Sequence, residues 1–217
     1  MDSSSETAST YNTEKYLIKS LAKYLNIDPQ GTRAALIAFN GQPVVISDFE
    51  SFRSASVFES VVDNVPHYGG NRSVSEALRT AAGMFSKSPS SVSKVVFLVT
   101  SGKPLQNEDW NSVGDVLNKL YALGVRTYVA LIGQSPSIPD FGSSLENPEN
   151  VFAIPSRSDI PEQINQIGSQ VLTDSVKLNS FLMREFSKTK ELQIHVPQLL
   201  NSITPNVAHV NRKRFRN

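Results

Sequence analysis

Val95-Val96-Phe97-Leu98-Val99-Thr100-Ser101-Gly102 decides the fold. Its apolar, β-branched run has the length and composition of a strand buried on both faces, and Thr-Ser-Gly ends it in a turn. Downstream, Glu108 to Leu123 reads as a helix with Trp110, Val113, Leu117 and Leu120 inward, closed by Gly124. Arg126 to Ile132 is a second buried strand, ending at Gly133. After a loop over Gln134 to Asn150, Val151 to Ile154 is a short strand. Ile160, Ile164, Ile167 and Val171 then mark a helix that tolerates Pro161 in its first turn.

Upstream the alternation continues. Val74, Ala77, Leu78, Ala81 and Phe85 share one helical face, with Ser73 and Glu76 spaced as a capping box. Val57 to Val62 predicts a short helix. Arg33 to Phe39, the Asn40-Gly41 turn and Pro43 to Ile46 predict a hairpin whose second strand lies at a sheet edge. Thr13 to Leu25 predicts a helix, with Leu17, Leu21 and Leu25 at a spacing of four and Asn12 or Thr13 as cap. The chain is thus a layered α/β domain with a mostly parallel sheet and one antiparallel edge strand. In such sheets ligands bind outside the carboxyl ends of the strands, which is where Thr100-Ser101-Gly102 stands.

The 217 residues suffice for one domain and an appendage. Residues 1–172 carry 13 Lys+Arg against 17 Asp+Glu, a net of −4. Residues 173–217 carry 8 against 3, a net of +5, and form a basic tail or the start of a following segment. Within that tail Leu178, Phe181, Leu182 and Phe186 suit a helix, and Leu192 to Val196 alternates like a strand. With no cysteine, disulfides, thiolate metal sites and cysteine nucleophiles are excluded. No apolar run reaches the roughly 18 residues of a membrane span, and Met1-Asp2-Ser3-Ser4-Ser5 has no signal-peptide core.

The order of the pieces resembles a von Willebrand factor type A domain, the module of integrin inserted domains, matrilins and collagen VI chains. The residues that carry this are Asp2-Ser3-Ser4-Ser5, a strand ending in Ala38-Phe39, Tyr68-Gly69-Gly70-Asn71-Arg72-Ser73, Val95 to Gly102, and Gly124-Val125-Arg126-Thr127-Tyr128. They span residues 1–172. The resemblance implies a three-layer, Rossmann-like fold and a metal-ion-dependent adhesion site. That site pairs Asp-x-Ser-x-Ser after the first strand with a Thr near a Gly-Gly pair and an Asp after a later strand. Mg²⁺ takes hard oxygens in octahedral geometry, so carboxylates and hydroxyls suit it, and an acidic partner side chain fills the open position.

Matched residue by residue, Asp2 and Ser4 keep the pattern, while Glu6, Asn71 and Ser101 replace its second Ser, its Thr and its last Asp. The expectation is an altered site with no resident cofactor, Mg²⁺ or Ca²⁺ being the ions that its remaining oxygens could still take. Asn71-Arg72-Ser73 is also an N-glycosylation acceptor, and a glycan on Asn71 would crowd that face. In the family an apolar first strand precedes the Asp and lies mid-sheet. Here Met1 stands directly before Asp2, so the expectation is that this central strand is missing and that the sequence begins inside a longer protein. The alternative is that Leu192 to Val196 fills the gap.

The function implied is a protein–protein adhesion module of an extracellular matrix or cell-surface protein, reached through an upstream signal peptide. Its partner would be another matrix or cell-surface protein, collagen among them, and not a small-molecule substrate. The alternative is a cytoplasmic or nuclear scaffold of the same family, using Arg212 to Arg216 as a basic address; that short run is weak for nucleic acid. Catalysis is not expected. No G-x-G-x-x-G, phosphate loop or G-x-S-x-G elbow occurs, and Lys103 is followed by Pro104. His67, His195 and His209 lack metal spacing, and His67 reads as a surface loop residue.

Overall fold

The computed structural model describes residues 1–101, 110–133, 145 and 148–175. Met1–Ser175 form one compact unit, and a second unit, Val176–Asn217, lies outside the described residues. The expected tail helix, the Leu192 to Val196 strand and the basic end therefore fall outside them, as do Gly102 and most of the Gln134 to Asn150 loop.

The elements are α1 (Tyr11–Tyr24), β1 (Leu36–Phe39), β2 (Pro43–Ser47), α2 (Ala55–Asn64), α3 (Val74–Phe85), β3 (Lys94–Ser101), α4 (Trp110–Ala122), β4 (Val125–Ile132), β5 (Val151–Ile154) and a helix over 160–175, called α5. β1 and β2 form the antiparallel hairpin, with Phe39 opposite Pro43. β3, β4 and β5 run parallel, with Ser101 beside Ile132 and Ile132 beside Ile154.

The two-residue period of the strands sorts the core into two layers. Leu98 of β3 and Val129 and Leu131 of β4 face α3 and α4, where Leu78, Val113 and Leu120 pack on them. Val99, Tyr128, Ala130 and Ile132 face the other way, onto Leu17 and Leu21 of α1 and Ile160, Ile164 and Ile167 of α5. A third cluster under the hairpin joins Ala38 and Leu36 to Phe58 and Val62 of α2. Helices therefore cover both faces of the sheet, the three-layer arrangement expected. Gly124 takes the left-handed conformation that ends α4 (φ 71°).

Several local expectations are corrected. Val95, Val96 and Phe97 are half-buried, not buried on both faces; only Lys94 and Leu98 to Ser101 of that strand are buried. β1 starts at Leu36, not Arg33, and α1 runs from Tyr11 with Thr10 before it. Ser73 makes no capping bond; its hydroxyl lies 3.4 Å from that of Ser75, and Glu76 pairs with Arg79.

The place where a central strand was expected lies between β1 and β3. There the first residues of the chain stitch the two edges together. The Phe39 N–H donates to the Met1 carbonyl (3.0 Å), the Ser3 N–H to Phe39 (2.7 Å) and the Asp2 N–H to Val99 (2.9 Å). Asp2 and Phe39 form an isolated parallel bridge. Further down, toward Leu36 and Lys94, no described residue joins β1 to β3 in a ladder. This is why Val95 to Phe97 are less covered than a central strand should be.

Candidate functional site

The stitch places the Asp2 side chain at the carboxyl end of the sheet. Around it gathers a buried polar cluster: Asp2, Ser3, Ser4, Thr7 and Thr100 are fully buried, and Ser101 is 2% exposed. Burying such groups costs free energy unless their polar atoms find partners, and most of these do; the Ser3 and Ser4 hydroxyls find none among the described residues. Asp2 Oδ1 accepts the Ser4 N–H (2.9 Å), which turns the chain sharply into the loop before α1. Asp2 Oδ2 accepts the Thr100 hydroxyl (2.5 Å).

A second loop closes over the first. The Gly69 N–H donates to the Ser3 carbonyl (2.8 Å), and Ser5 and Gly70 exchange a bond each way: Ser5 N–H to Gly70 carbonyl, and Gly70 N–H to Ser5 Oγ (both 2.9 Å). Gly69 and Gly70 have φ of 69° and 81°, a backbone that side chains resist, so the Gly-Gly pair is what permits the reversal. Asn40 at the hairpin tip ties in the same loop, donating to the Gly69 carbonyl (2.9 Å). His67 is exposed, as expected for a loop residue, and its Nε2 donates to the Ser4 carbonyl (2.8 Å).

That reversal turns Asn71 outward and Arg72 inward. The Arg72 side chain is 5% exposed and its Nη1 lies 3.9 Å from Asp2 Oδ2. The same nitrogen donates to Ser101 Oγ (2.9 Å) and reaches toward Thr100 Oγ1 (3.5 Å). Beneath the cluster Glu14 of α1 is fully buried. Its Oε1 accepts the Thr10 hydroxyl (3.1 Å), and Oε2 has no hydrogen-bond partner among the described residues. Burial, then the nearby Asp2 charge, push the Glu14 carboxyl well above the usual carboxylate range. The N-terminal ammonium, the Thr10 bond and Arg72 oppose that shift.

Of the five positions named from sequence, Asp2, Ser4 and Ser101 are buried in one cluster. Glu6 and Asn71 are exposed. Arg72 was not singled out, although it follows Asn71 directly. The signal was a cation one residue from a position expected to touch a metal.

The donor set can be tested against a divalent ion. In its favour, the Ser4 hydroxyl is buried and without a partner among the described residues. Against it, both Asp2 oxygens are engaged, Ser101 supplies no charge, and a guanidinium already lies against the carboxylate. An ion on Asp2 would sit within a few ångströms of that fixed positive charge. Among the described residues no three His, Asp or Glu side chains cluster as metal ligands. The residues present do not fit a divalent ion.

The von Willebrand factor type A domain model matches residues 1–194. Proximal thread matrix protein 1 from the mussel byssus aligns with 20% identity and a TM-score of 0.67, over 78% of this chain and 44% of its own. Another structure of that protein, with a zinc-occupied MIDAS motif, aligns with 18% identity and a TM-score of 0.65, over 77% and 45%. The pilus adhesin SpaC from Lactobacillus rhamnosus GG, in its open conformation, aligns with 10% identity and a TM-score of 0.62, over 80% and 29%. The chain thus spans less than half the length of these proteins, and identities this low speak for the fold alone.

Proposed function

Because the chain belongs to the von Willebrand factor type A family, we propose that it is a protein-binding, non-catalytic module of an extracellular matrix or cell-surface protein. Its partner would be another matrix or cell-surface protein, collagen among them. Asp2, Ser4, Glu6, Asn71 and Ser101 would be the altered remnant of the family's adhesion site. The observation that carries this reading is the layering at the carboxyl end of the sheet. A buried charged floor of Asp2 and Arg72 lies under a rim that exposes Ser5, Glu6 and Asn71. A rigid polar floor with an exposed rim suits recognition of a protein surface, and nothing in it resembles a nucleophile held by a base. The matrix and adhesin names of the structural neighbours agree in direction.

The test is surface plasmon resonance against immobilised collagens and matrix glycoproteins. Saturable binding that weakens in Glu6→Lys supports the reading. No saturable binding to any of them up to high-micromolar concentration overturns it. Expression through a secretory route tests separately whether the exposed Asn71 accepts a glycan, read by mass spectrometry.

A further inference from the structure

Within the family site as described, two carboxylates face one divalent ion. Here one of them is replaced: Ser101 stands for the Asp, and of the two carboxylates at the site's five positions only Asp2 is buried, Glu6 being exposed. Removing one negative charge would leave a divalent ion over-positive. The structure instead supplies a single positive charge of its own. The Arg72 guanidinium, nine-tenths buried, contacts Ser101 and Thr100 and lies 3.9 Å from Asp2. Two charges against two become one against one between carboxylate and cation, so that pair is neutral either way, as burial in a low dielectric favours.

We propose that the Arg72 guanidinium is the built-in cation of this site, taking the place of the divalent ion, so that the domain folds and binds without divalent metal. The neutral residue at 101 and the cation at 72 are then one coupled change. An Asp at 101 with Arg72 present would leave a surplus negative charge; Ser101 without Arg72 would leave Asp2 unpaired. The planar guanidinium suits the post, since it holds its charge at every physiological pH and offers donors in fixed directions. The inference rests on the reading of this cluster as the family's site. It can fail independently of the partner assignment, because its test uses no partner.

The experiment titrates Mn²⁺, Mg²⁺ and Ca²⁺ into EDTA-washed protein, reading the thermal midpoint and isothermal titration heats. The wild type should show no midpoint shift and no heat with any ion. Arg72→Ala/Ser101→Asp, which removes the cation and restores the carboxylate, should gain metal binding. Its midpoint should rise by about 5–10 °C at a hundredfold excess of Mn²⁺ over Kd. Arg72→Lys, which keeps the charge, should gain none. Stoichiometric metal binding by the wild type at the Asp2 cluster, abolished by Asp2→Asn, overturns the proposal. So does a double variant that binds no metal. If that variant is unfolded alone, its recovery on adding Mn²⁺ supports the proposal, and failure to recover overturns it.

Discussion

The Asp2–Arg72 pair makes a quantitative prediction through a double-mutant cycle. At 3.9 Å, and with the effective dielectric of about 20 that suits protein sites, the attraction is about 4 kcal/mol. Both side chains are almost wholly removed from water, so neither is screened as a surface pair would be. Asp2→Asn keeps an oxygen for the Ser4 N–H but leaves a guanidinium buried without its counter-charge. Arg72→Met leaves the carboxylate in the same position. Breaking one side of a buried pair costs about 3–5 kcal/mol, or about 6–20 °C in a domain of this size. The double variant removes both charges at once, so it should be less destabilised than the two single losses added together. Urea unfolding followed by circular dichroism should give a coupling of about 2–3 kcal/mol. Other contacts that Arg72 makes cancel in the cycle. A coupling below about 0.5 kcal/mol would mean that the guanidinium does not answer the carboxylate, and the charge-balance argument would fall with it.

Other perturbations test other parts of the molecule. The Glu14 pKa is raised in the folded state, so that state binds the extra proton; the stability this group contributes is fully present below about pH 4.3 and is lost as pH climbs from there through the folded pKa. Glu14→Gln should therefore melt higher than the parent near neutral pH, the difference vanishing toward about pH 4; thermal melts across that range read it. Leu120 is fully buried between α4 and the sheet, so Leu120→Ala should cost about 2–5 kcal/mol in urea unfolding. A Cβ on Gly168 would collide with Cδ1 and Cε1 of the Tyr24 ring, where α5 crosses α1. Gly168→Ala should lower the midpoint despite about 1 kcal/mol of gained helix propensity, and should raise it in a Tyr24→Ala background.

The layers of this fold were legible because burial has a period. In β4 the alternation of Val129 and Leu131 against Tyr128, Ala130 and Ile132 assigns each side chain to one face, whatever lies beyond. Val74, Leu78 and Phe85 do the same for α3. Pairing has no such signature. Val95 to Phe97 look like any central strand from their side chains, and what covers them depends on residues near 1 and 39, far along the chain. The site was half legible for the same reason. Asp2 and Ser4 are fixed by their own short turn, which a local motif can carry. Whether Asn71 or Arg72 points inward is set by two left-handed glycines and by Asn40, which comes from the distant β1–β2 hairpin. The Ser73 and Glu76 spacing fits a capping box, yet Glu76 found Arg79 one turn away, an option the spacing alone does not exclude.

The same few residues close the sheet and build the site. Met1 and Ser3 pair with β1 through their backbones, while Asp2 pairs with β3 and sends its side chain into the polar cluster. Thr100 and Ser101, the last residues of β3, meet that side chain and its cation. The charge pair therefore sits on the seam between the two sheet halves, and its strength bears on whether they stay joined. A metal held there would make the seam depend on the supply of that ion. A guanidinium carried by the chain makes it permanent, at the cost of a site whose charge can no longer be switched by adding or withdrawing metal. With only the backbone bonds of residues 1–3 joining β1 to β3 among the described residues, a constitutive charge at that seam is the arrangement that keeps the carboxyl end of the sheet, and any surface it presents, in one geometry.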